Sequence, residues 1–93
     1  MTRTELRKLG FHKTRSKNDL GFMCLTEYSK SFKIKYFGEF TLSAQCFTKL
    51  WRPKYFELSI NCDGLTHVLS TYNFNKSNFM TCLNKLNKMK ESK

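Results

Sequence analysis

A chain of 93 residues carrying 17 Lys plus Arg against seven Asp plus Glu, a formal net charge of +10, has room for one domain, because a chain this short buries only about two-thirds of its unfolded surface. Its 40% hydrophobic and 15% aromatic residues supply enough apolar area to offset the ordering of the backbone, which argues against intrinsic disorder. No apolar run reaches the about 20 residues of a membrane-spanning helix, and the N-terminal MTRTELRKLGF lacks the apolar core of a secretion signal; both predict a cytoplasmic protein without a membrane partner.

Thr2 and Glu5 stand at capping-box spacing, Leu6 and Leu9 share a face, and Gly10 supplies a stop, so a short N-terminal helix is expected. The stretch FHKTRSKND is charged and ends in Asn18 and Asp19, whose side chains favour turns. It reads as a basic connector, extended from Phe11 onward, that completes a first segment over 1–19. From Leu20 the pattern turns β-prone: LGFMCLTEY sets Phe22, Cys24 and Thr26 on one side and Met23 and Leu25 on the other. SFKIKYF alternates Phe32, Ile34 and Tyr36 with Lys33 and Lys35, a core face backed by a cationic one. A turn at Gly38 leads into EFTLSAQCF, where Phe40, Leu42, Ala44 and Cys46 alternate with Thr41, Ser43 and Gln45, and the two runs predict a hairpin.

Pro53 lacks an amide donor and holds Arg52 extended, which marks a loop. KYFELSI then alternates Phe56, Leu58 and Ile60 with Tyr55, Glu57 and Ser59, and the Asp63-Gly64 pair predicts a tight turn into a partner strand, LTHVLSTY. In the last segment Phe79, Cys82, Leu83, Leu86 and Met89 recur at three- and four-residue spacing, with Asn75 or Ser77 as cap and Lys85, Lys88 and Lys90 toward the C-terminal end. The expected fold is α+β: an antiparallel meander of four or five strands over 20–72, a short N-terminal helix, and a C-terminal helix over 75–90 packed on one face.

The charge implies an acidic partner, of which phosphate backbones are the commonest, because neutralised phosphates release counterions and give sequence-independent affinity. Three clusters carry this reading. Arg7, Lys8, Lys13, Arg15 and Lys17, with His12 among them, form a basic arm, or a solvated terminus. Lys33 and Lys35 on one strand, joined by Lys30, fall near phosphate spacing, or protect a sheet edge. Lys49, Trp51, Arg52, Lys54 and Tyr55 interleave cations with rings, as sites for single-stranded nucleic acid do, although Trp51 also suits a place over the core or in a protein interface.

Features of catalysis are sparse. His12 and His67 are the two histidines; with a lysine they could cleave RNA by proton transfer, but their spacing does not require it, and His67 reads as a partly buried strand residue. Glu27, Glu39, Glu57 and Asp63 form no metal motif, and the glycines form no phosphate loop, so no cofactor or metal is expected. Cys24, Cys46, Cys62 and Cys82 are widely spaced and read as reduced, buried thiols.

In its Lys-, Asn- and Phe-rich composition and in segments such as SKNDLGFMCL and NFNKSNFMTCLNKLNKMKESK, the chain resembles accessory proteins of T-even-type bacteriophages. In size and basicity it is similar to their toxin-inhibitory, anti-defence factors, which block RNA-cleaving toxins in assemblies to which RNA contributes. That resemblance implies a host-cytoplasmic role and makes Lys33, Lys35, Arg52 and Lys54 candidates for RNA contact. The sequence thus predicts a non-enzymatic, RNA- or nucleic-acid-binding inhibitor of a host nuclease or toxin. The alternatives are an inhibitor that docks on an acidic host enzyme without nucleic acid, and a small ribonuclease. An unpaired strand would also permit a homodimer.

Overall fold

A computed structural model describes residues 1–19, 23–46 and 52–90, with the backbone alone described for 15–19 and 23–25. Helix α1 (Arg3–Lys8) is followed by strands β1 (His12–Asp19), β2 (Met23–Ile34), β3 (Gly38–Cys46), β4 (Tyr55–Cys62) and β5 (Leu65–Asn73), and by helix α2 (Lys76–Met89). The strands form one antiparallel sheet in the order β1-β2-β3-β4-β5, a meander in which every strand pairs with its neighbour in sequence.

Local chemistry accounts for the boundaries. The Thr2 hydroxyl accepts from the Glu5 amide at 3.1 Å and the Glu5 carboxylate accepts from the Thr2 amide at 3.2 Å, closing the capping box of α1. At the β4–β5 turn Asp63 and Gly64 both have positive φ, 54° and 78°, the conformation that lets a two-residue turn follow the twist of its strands. Asn75 caps α2 by accepting from the Asn78 amide at 3.2 Å.

The alternation in β2, β3 and β4 places Tyr28, Phe32, Ile34, Leu42, Ala44, Cys46 and Phe56 on one face, all buried. Both helices cover that face. Leu6 of α1 and Phe79, Leu83 and Leu86 of α2 join the same core cluster, with Phe11 between them. Phe79 meets Phe11 at 5.5 Å and Phe56 at 5.4 Å between ring centroids, and Lys90, just beyond α2, bridges to Ile34. The helix therefore crosses the sheet from the start of β4 to the end of β2.

Four expectations are corrected. Residues 12–19, read as a connector, form β1: an edge strand held by backbone bonds to β2 needs no apolar alternation of its own. The sheet accordingly runs over 12–73, not 20–72, with LGFMCLTEY and SFKIKYF continuous in the single strand β2 from Met23. Tyr36 is 90% exposed and not on the core face, because β2 ends at Ile34 and Tyr36 takes the left-handed turn conformation at φ 73°. Met89 is exposed, as the last turn of α2 runs past the sheet's buried centre.

Candidate nucleic-acid interface

The two faces of the sheet differ in chemistry. On the helical side, α1 carries Arg3, Arg7 and Lys8 and α2 carries Lys76, Lys85 and Lys88, six cations against one carboxylate, Glu5. All six are exposed. Glu5 is engaged twice, in the cap of α1 and in an ion pair with Lys76 at 3.2 Å, and the Lys76 hydrogen bond first, then that of the Thr2 backbone, holds its carboxyl below the ordinary value. Arg7 lies over the Tyr28 ring at 5.9 Å and reaches its hydroxyl at 3.5 Å, which fixes the guanidinium stem and leaves the residue open to solvent.

Lys30 comes from β2 but projects to the same side, where its ammonium donates to the Leu9 carbonyl at 2.9 Å and sits 5.3 Å from the Phe32 ring centroid. Partial burial, and then repulsion from Lys90, lowers its pKa from the usual lysine value. The cations of the two helices and the Lys30–Lys90 pair thus share one layer.

The other face carries no helix among the described residues. It presents hydroxyls, amides, the Lys33 ammonium and three carboxylates, Glu27, Glu39 and Glu57. Glu27 accepts from Gln45 at 2.9 Å and from Thr14 at 3.1 Å, and Glu39 accepts from Asn61 at 2.6 Å. Ser29 stands between Thr14 at 3.0 Å and Ser43 at 2.8 Å, so hydroxyls continue the network across three strands.

The residues singled out in sequence do not converge on one site. Arg7 and Lys8 belong to the helical layer, and Lys13 is exposed on β1, whose backbone also carries Arg15 and Lys17. Lys33 is exposed on β2 but faces Glu39 in register, on the side that bears the carboxylates. Lys35 lies in the turn beyond β2, its ammonium 5.2 Å from the Tyr36 ring centroid. The face read as cationic is therefore of mixed charge. Arg52, Lys54 and Tyr55 are exposed at the other end of β3, about 20 Å from Lys33 along the strand. Lys49 and Trp51 lie outside the described residues.

Arg3, Lys76, Lys85, Lys88 and Lys90 were not signalled as a site by sequence, and Lys30, which sequence joins to Lys33 and Lys35, lies instead on the opposite, helical face, because its position in β2 has the parity of Tyr28 and Phe32. The lysines at the end of α2 read equally as complements to the helix dipole, and only the packing of α1 beside α2 shows that they share a layer.

His12 and His67 occupy opposite edge strands, four strand spacings or roughly 19 Å apart, and opposite faces. They cannot flank one phosphodiester. His67 is exposed, not partly buried, because neither helix reaches over that part of β5. Of the thiols, Cys46 is buried and receives the Arg52 amide at 3.2 Å, and Cys82 is half-buried, with burial raising its pKa. Cys62 is exposed at the end of β4, against the expectation that the thiols are buried. Among the described residues no three His, Cys, Asp or Glu side chains are grouped to hold a metal ion, and no helix is long and apolar enough to cross a membrane.

These features define a basic α+β protein with a cationic helical layer on one face of a five-stranded meander. Comparison with known proteins gives no match to a family model, to a curated sequence or to a solved structure.

Proposed function

We propose that the chain is a non-enzymatic RNA-binding factor of the cytoplasm that engages phosphate backbones through its helical layer. The observation that carries this reading is the asymmetry of charge: six cations against one carboxylate on the helices, whereas on the uncovered face of the sheet Lys33 stands among three carboxylates. Uncompensated cations on one surface raise the local potential, draw in a polyanion, and gain affinity from released counterions. Flexible lysines on helices contact phosphates and not base edges, so the affinity is sequence-independent.

RNA is preferred to DNA on the resemblance to toxin-inhibitory phage factors. On that resemblance the protein acts stoichiometrically, holding a host RNA-cleaving enzyme and its RNA in an inactive assembly. Titration of a short structured RNA, its single strand and the matching DNA at increasing salt tests this. Affinity at micromolar protein that falls linearly on a log–log salt scale is expected. Absence of binding, or binding indifferent to salt, defeats the reading. A host enzyme retained at full yield after nuclease treatment would instead indicate direct protein contact.

A further inference from the structure

Among the described residues β5 is an edge strand, paired on one side with β4, and its sequence, LTHVLSTYN, makes it the one strand of the five described without a charged residue. Leu65, Val68 and Leu69 are 64%, 55% and 52% exposed, and Tyr72 is exposed beside them. Alternate backbone amides and carbonyls along such an edge point outward, a template for a further strand. Sheets ordinarily protect exposed edges with lysine or proline. The opposite edge, β1, follows that rule with Lys13, Arg15 and Lys17, whereas β5 has neither residue.

We propose that β5 is a self-association surface, pairing antiparallel with β5 of a second copy of this chain about a two-fold axis normal to the sheet. The charge distribution selects the occupant. A chain of net charge +10 repels its own copy over most of its surface, and β5 is where two copies meet without opposing like charges. An acidic partner would be drawn to the helical layer or to β1 and finds no cation on β5. An uncharged strand with apolar side chains is matched by another of its kind.

The pairing is isologous and closes at two copies. It makes a continuous sheet from both meanders with both helical layers on one side, and it leaves the cationic β1 strands at the ends, where they oppose further growth. Leu69 is an extra residue between the paired positions Val68 and Ser70, a bulge that bends the strand. Contact is therefore carried by the segments on either side of Leu69 and not by one unbroken ladder.

The test is sedimentation equilibrium of the full chain, stripped of nucleic acid, from about 1 to 200 µM, the range that reads micromolar dissociation constants. A monomer–dimer equilibrium is expected. Val68→Lys and Thr71→Lys, which set like charges across the two-fold axis, are each expected to weaken it by roughly tenfold, and Lys13→Glu on the other edge to leave it unchanged. A monomer at the highest concentration, open-ended growth, or a dimer indifferent to both lysine variants overturns the proposal. Should the variants fail to fold, amide exchange of the unaltered chain decides: protection of residues 65–73 must rise with concentration, and constant protection overturns the pairing. RNA enters neither measurement, so the result is independent of the function proposed above.

Discussion

Lys30 and Gly10 form a tight junction between α1 and the sheet. Gly10 takes φ +93°, a conformation that costs an L side chain about 1–2 kcal/mol, and a Cβ there would stand 3.1 Å from the Lys30 ammonium. That ammonium is already committed to the Leu9 carbonyl. Gly10→Ala is therefore expected to destabilise the fold by about 1–2 kcal/mol in denaturant titration; an unchanged midpoint would mean that the turn relaxes freely. Glu5 makes a prediction of a different kind. Its carboxyl is lowered first by the Lys76 hydrogen bond and then by the Thr2 backbone. The folded state thus favours the ionised form, and the stabilisation is complete above the ordinary carboxylate value and lost as pH falls through the lower, folded value. Thermal unfolding between pH 7 and pH 3 should show part of its acid loss removed in Glu5→Gln, which is already without the ion pair at neutral pH. Parallel curves for the two proteins would mean that the pair contributes nothing.

The elements that sequence disclosed are those whose burial repeats with their own period. Phe79, Leu83 and Leu86 recur at helical spacing because α2 buries one stripe, and Phe40, Leu42, Ala44 and Cys46 alternate because β3 buries one face. β1 escaped because an edge strand is defined by its partner's hydrogen bonds, and its cations look the same in a strand as in a connector. The alternation of SFKIKYF also runs on past the strand. Tyr36 continues the period of Phe32 and Ile34, yet the turn places it at φ 73° with its side chain in solvent. A bulky residue in the left-handed region carries strain that an asparagine tolerates better. Tyr36→Asn is expected to stabilise the protein by about 0.5–1 kcal/mol, the cation–ring contact with Lys35 being exposed and worth less than the relief. A loss of stability on thermal melting would show that the Tyr36 ring makes contacts that outweigh its backbone strain.

For the whole molecule, sequence supplied the size of the charge surplus but not its address. The cations at positions 7, 8, 85 and 88 are far apart in the chain, and they share a layer only because α1 and α2 dock on the same face of the sheet, tied by Glu5 and Lys76. Conversely, Lys33 and Lys35 looked like a phosphate-spaced pair, and Glu39 stands opposite Lys33 only once the β2–β3 register is known. The two surfaces therefore make opposed predictions. Lys85→Glu with Lys88→Glu removes two of the phosphate contacts proposed for the helical layer, and the log–log salt slope for RNA binding should fall by roughly 1.4–1.8, the contribution of two neutralised phosphates. Lys33→Glu with Lys35→Glu changes the net charge equally, but at Lys33 on a face already furnished with carboxylates and at Lys35 in the β2–β3 turn, and should lower affinity with little change in slope. Equal losses in both pairs would mean that net charge alone attracts RNA, and a larger slope change in the second pair would move the interface to the hairpin end of the sheet. Because both double variants alter exposed residues and the same number of charges, the comparison separates where the phosphates lie from how strongly the molecule as a whole attracts them.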